Sequence, residues 1–112
     1  ASCREMRASV AREMLRDARE VPVLDVRNSR VPALRGALEI PIDELESRLA
    51  ELDRHRETPI LVVGDDGVSA RRACELLAGA GFRYVIFVPE GARGLFAGVR
   101  GADRLEREPE TP

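Results

Sequence analysis

At 112 residues the chain is one small domain, with apolar residues at 44%, charged residues at 34% and a net charge of −2. That balance is ordinary for a soluble globular protein, offers no basic surface to nucleic acid or an anionic membrane, and includes no apolar run near the ~20 residues that span a bilayer. Two cysteines and a single histidine supply neither a disulfide framework nor a zinc set, so a reducing cytoplasm is the expected setting.

The opening residues carry no signal-peptide core, and Ala1 in place of Met is expected either of a trimmed chain or of a domain taken from something longer. Met6, Val10 and Met14 recur at helical spacing among charges, which predicts an amphipathic helix over residues 3 to 18. The run "VPVLDV" (21 to 26) is short, apolar and β-branched, and reads as a strand. Residues 28 to 41 read as loop, punctuated by Pro32, Gly36 and Pro41. A helix follows in "IDELESRLAEL", with Asp43 and Glu46 spaced for capping and Leu45, Leu49 and Leu52 on one face. "ILVV" (60 to 63) is a strand apolar at every position, and so is expected to be covered on both sides. The next helix carries Ala70, Ala73, Cys74 and Leu77 along one stripe and stops at Gly79 to Gly81. "YVIFV" (84 to 88) is the third strong strand. Strands alternating with helices imply an α/β fold of three layers: a mostly parallel central sheet with helices on both faces. Residues 1–102 are expected to form this domain, and the charged stretch 103–112 to be a disordered tail.

The chemistry concentrates in "ILVVGDDGVSARRAC". A strand, a glycine-containing turn and a helix N-terminus make a natural anion cradle. Here the turn is acidic: Gly64, Asp65, Asp66, Gly67, Val68 and Ser69 fill it. An anionic substrate at ~4 Å from one carboxylate would meet a repulsion on the order of 1 kcal/mol in water, and more where water is excluded. Asp65 or Asp66 is instead suited to cap the helix. Gly64 has no side chain that could accept a sulfur or phosphoryl group. A phosphoacceptor receiver fails on placement, because the acids come after residue 60 with too little chain behind them. A dinucleotide site fails because Gly64 and Gly67 lack the rest of the glycine pattern. Asp25, Asp65 and Asp66 are a lesser candidate set for Mg²⁺; no metal or cofactor is called for.

Several boxes, in order, resemble the single-domain rhodanese family. Asp25-Val26-Arg27 matches its first box, Gly36, Ala37, Ile40 and Pro41 its second, and Gly81, Phe82 and Val85 the helix end and following strand. The resemblance implies the rhodanese fold and, at the loop after the "ILVV" strand, a nucleophilic cysteine that carries sulfur as a persulfide. Gly64 stands at that position. Ala33 stands where the family has a histidine, Glu90 replaces the first glycine of the closing box and leaves Gly91, and Leu95 or Phe96 stands for a tryptophan. The resemblance with these departures implies a catalytically silent domain, a binding or regulatory module for an unknown protein or small-molecule partner. The alternative is a sulfurtransferase working through another thiol, Cys74 or Cys3, or one inactivated by an engineered change in the loop at Gly64.

Each singled-out residue also has a plainer role. Asp25 and Arg27 line a pocket rim or form a strand-end ion pair tying loops together. Cys74, on an apolar stripe, is expected as a buried inert thiol, Cys3 as exposed in an N-terminal turn, and His55 as a solvated loop residue.

Overall fold

The computed structural model describes residues 3–17, 21–28 and 36–95. Ala33, Phe96 and the expected tail lie outside the described residues.

Five strands form one parallel sheet: β1 (Cys3–Glu5), β2 (Val23–Asp25), β3 (Leu38–Glu39), β4 (Ile60–Val63) and β5 (Val85–Phe87), in the order β1-β5-β4-β2-β3. Among the described residues four α-helices accompany them: α1 (Ala8–Asp17), α2 (Ile42–Leu45), α3 (Gly67–Gly79) and α4 (Gly91–Leu95). A 3₁₀ segment, Glu46–His55, continues α2.

Side-chain alternation along the central strands builds two cores. Leu24, Ile60, Val62, Val85 and Phe87 point to one face, where Leu45, Leu52, Ala73, Leu77 and Phe82 cover them. Val23, Leu61, Val63 and Ile86 point to the other, against Ala8, Ala11 and Leu15 of α1 and Ala92 and Leu95 of α4. All four residues of β4 are fully buried, as expected for a central parallel strand covered by helices on both sides. Among the described residues no helix is long and apolar enough to cross a membrane.

Four sequence expectations need correction. Residues 3–5 are a strand, and the helix begins only at Ala8. Cys3, Arg4 and Glu5 pair in register with Val85, Ile86 and Phe87, and that main-chain pairing outweighs the helical spacing of Met6, Val10 and Met14. The stripe that α1 buries is Ala8, Ala11 and Leu15, while Val10 is exposed; alanines let the helix lie close to the sheet. Within the expected loop, Leu38 and Glu39 form a short edge strand on β2. Asp43 caps nothing: Pro41 is the N-cap residue of α2, without a side-chain cap, and the Asp43 carboxylate accepts from Asn28 Nδ2 at 3.2 Å. The helix kinks at Arg48 (φ −117°, ψ 19°). Leu45 and Leu52 still reach the core, with Leu49 half-buried against it. His55 closes the 3₁₀ segment and is half-buried rather than solvated; burial, then the neighbouring Arg54 charge, pushes its pKa down.

The cysteines are a fifth correction. Cys3 and Cys74 are bonded to each other across 71 residues of sequence, joining β1 to the buried stripe of α3. Neither is a free thiol. The sheet order brings the first strand beside the last, directly over α3.

Leu24 and Leu61 fill opposite cores and are both fully buried. Leu24→Ala and Leu61→Ala are each expected to cost about 2–5 kcal/mol, read as a fall in the urea midpoint at unchanged slope.

Candidate functional site

The site lies at the carboxyl edge of the sheet, where open parallel sheets place their ligands. β4 ends at Val63 and the chain turns through Gly64–Gly67 into α3. Asp66, in extended conformation (φ −147°), is the helix N-cap: its Oδ1 accepts from the Ser69 backbone N–H at 2.9 Å. The Ser69 hydroxyl lies 3.4 Å from the Asp66 backbone N–H, completing a reciprocal capping box. The Ser69 backbone N–H, then its hydroxyl, holds the Asp66 carboxyl below the usual aspartate range. The donors that would cradle an anion are thus partly taken up by the turn's own carboxylate.

The turn is also tightly closed. A Cβ built on Gly64 would stand 2.6 Å from Ser69 Oγ and 2.8 Å from the Ala70 backbone nitrogen. Both lie nearer than a real Cβ approaches another heavy atom, and the second is backbone of the helix. The connection between β5 and α4 presses on the turn from the other side. A Cβ on Gly67 would fall 2.4 Å from the Pro89 carbonyl oxygen, and one on Gly91 would fall 2.8 Å from that of Asp65. The Ala92 N–H donates to the Gly64 carbonyl at 2.9 Å, tying the two segments together.

Asp25 and Arg27 form a bidentate ion pair at the end of β2. Arg27 Nε donates to Oδ1 at 2.9 Å and Nη2 to Oδ2 at 3.0 Å, and the Arg27 backbone N–H adds a third bond at 3.1 Å. Both residues are buried. They also border a cavity of about 300 Å³ with Asn28, Glu39, Pro41, Glu44 and Arg48. The candidate acids do not converge on a cation. Asp25 is engaged by Arg27, Asp66 by Ser69, and Asp65 Oδ2 accepts from the Asn28 backbone N–H at 3.2 Å. Among the described residues no cluster of His, Cys, Asp and Glu is arranged to hold a metal ion.

Val68 is the most exposed large apolar side chain among the described residues, at 77%, and it projects beside the exposed Asp65 and Asp66. Asn28, Pro89 and Glu90 are site-edge residues that the sequence reading passed over or misjudged. Glu90 Oε1 accepts from the Ala8 N–H at 3.0 Å and so holds the start of α1.

No family model matches the sequence, and comparison with curated proteins gives no match. Solved structures do match. The rhodanese-like domain protein of Staphylococcus aureus superimposes with a TM-score of 0.76 at 20% identity, over 95% of this chain and 99% of that one. The chain has the rhodanese-like fold. The Rhodanese_3 like domain of the Anabaena sp. Alr3790 protein is 28% identical over 69% of this chain and 91% of that one, with a TM-score of 0.61. The CoADR-RHD protein of Bacillus anthracis contains the same fold within a longer chain: the match covers 93% of this chain and 18% of that one, at 20% identity and a TM-score of 0.71.

Two predictions test the closed turn. Gly91 combines a φ of +75° with its contact on Asp65, so Gly91→Ala is expected to cost about 1–3 kcal/mol in urea denaturation. For Asp66, the folded state favours the ionised carboxyl. Its contribution is complete above the ordinary aspartate pKa of about 3.9 and is lost as pH falls through the lower folded value. Asp66→Asn keeps a capping oxygen without that titration. Below about pH 4 the wild type should therefore lose melting temperature relative to Asp66→Asn, while Asp66→Ala melts a few degrees lower at pH 7.

Proposed function

We propose that this is a rhodanese-like domain without sulfur-transfer chemistry, acting as a binding or regulatory module for a protein or small-molecule partner. The observation that carries the reading is Gly64. By the resemblance read in the sequence it takes the position of the family's cysteine, and the first turn of α3 fills the space a Cβ would need. A persulfide cycle needs a thiolate there, in an electropositive setting. Asp65 and Asp66, both exposed at the turn, give that position the opposite charge. We read Gly64 to Ser69 as a vestigial active-site loop, and Asp25 and Arg27 as the rim of its pocket.

The other reading, sulfur transfer through Cys3 or Cys74, has less support. The two are bonded to each other, and Cys74 is fully buried. No cofactor enters the proposal. A cytoplasmic location belongs to it, and requires that cellular dithiols be able to open the Cys3–Cys74 bond.

Thiosulfate-to-cyanide sulfur transfer tests the reading, with an active rhodanese as control. The unmodified chain should give background rates. Gly64→Cys alone should add little, because the helix must shift to admit the side chain and the two acids raise the thiolate pKa. Combining it with Asp65→Asn, Asp66→Asn and Ser69→Ala should give measurably more. Robust turnover by the unmodified chain, abolished by Cys74→Ala without loss of folding, would overturn the proposal.

A further inference from the structure

We infer that Cys3 and Cys74 form a reversible redox latch: their bond anchors edge strand β1 to α3, and its reduction opens the edge of β5. The observations lie at the end of the molecule opposite the turn. The Cα atoms of the pair are 5.7 Å apart with the sulfurs joined, within the range that a disulfide bridges without moving backbone. They are the only cysteines of the chain, so no competing pairing exists within it.

What holds β1 without the bond is slight. The strand has three residues, one neighbour, and two exposed side chains, Arg4 and Glu5. The Met6 N–H donates to the Phe87 carbonyl at 2.9 Å and prolongs the pairing by one residue. Cys3 alone of the three places its side chain against the core. Its sulfur is tied to Cys74, which sits wholly buried among the α3 residues that pack on the sheet.

The two sulfurs differ in access, which fixes the direction of attack. Cys3 is half-buried and borders a dish of about 510 Å³ lined also by Arg4, Pro59, Arg83, Tyr84, Val85 and Ile86. A thiolate of a small dithiol reductant attacks the Cys3 sulfur, the Cys3–Cys74 bond breaks, and Cys74 leaves as a thiolate that takes up a proton. The reductant's second thiol then displaces Cys3 from the mixed disulfide. Two electrons pass from the dithiol, which ends as a disulfide, and two protein thiols result. Cys74 can stay in the core as a small apolar group. Cys3, only half-buried at the edge of the core, holds less firmly, and β1 is free to leave. The main chain of Val85–Phe87 then becomes an unpaired edge.

The test uses the intact chain with and without dithiothreitol. Thiol titration in denaturant should count none before reduction and two after. On reduction the melting temperature should fall by about 10 °C or more, and the amides of residues 4–6 should lose roughly tenfold or more in exchange protection. Amides of β4 and of the first turn of α3 should change far less. Cys3→Ser, a change on an edge strand, should reproduce the reduced behaviour and abolish the response to dithiothreitol. The inference is overturned if mild diamide oxidation of the folded chain leaves two free thiols. It is equally overturned if full reduction leaves the protection of residues 4–6 unchanged.

Discussion

Burial of Ile60–Val63 on both faces is the constraint on which the molecule depends. Four consecutive apolar side chains cannot be satisfied by a sheet with one wet side, so two helical layers are required. Ile60 and Val62 draw in α3 and the segment from α2, while Leu61 and Val63 draw in α1 and α4. Because β4 is parallel to β2 and β5, its carboxyl end comes out beside theirs. The turn after Val63 is thereby surrounded by Asn28 and Pro89 from the neighbouring strand ends.

Charged side chains then fasten the layers at their ends. Arg12 Nη1 donates to the Gly94 and Leu95 carbonyls at 2.8 and 3.1 Å, closing α4 onto α1. Arg56 reaches the Ala80 carbonyl past the end of α3 and lies over the Phe82 ring at 4.6 Å. Glu90 holds the first turn of α1. Each joins elements far apart in sequence, and each offers orphan backbone groups a partner. The exposed pairs along the 3₁₀ segment, such as Arg48 with Glu44 and Glu51, are local and weakly stabilising by comparison.

What could be read from the sequence was whatever the local pattern determines. "ILVV" announced a buried strand, and the acids of the turn, Asp65 or Asp66, announced a cap that the structure assigns to Asp66, because both signals act within a few residues. Gly81, at φ +100°, ends α3 where a glycine stop was expected. The misreadings share the opposite property. Cys3–Glu5 is a strand only because β5 lies beside it, and nothing in "CRE" carries a strand pattern. The Cys3–Cys74 bond follows from the strand order and not from cysteine spacing. Glu90, read as a lost glycine, has its partner 82 residues away. The kink at Arg48 left the leucine pattern unchanged and so was invisible in it.

The position of β1 has a consequence for how the chain is made. Within this domain its residues are made before those of the other strands, yet among the described residues its neighbour in the sheet is β5, the last strand. At synthesis rates of about 5–20 residues per second, β1 waits several seconds for its partner to appear. The β2–β4 pair can form before then, since it needs only residues up to Val63. Until Val85–Phe87 are made, the sheet can hold β2 and β4 but not β1.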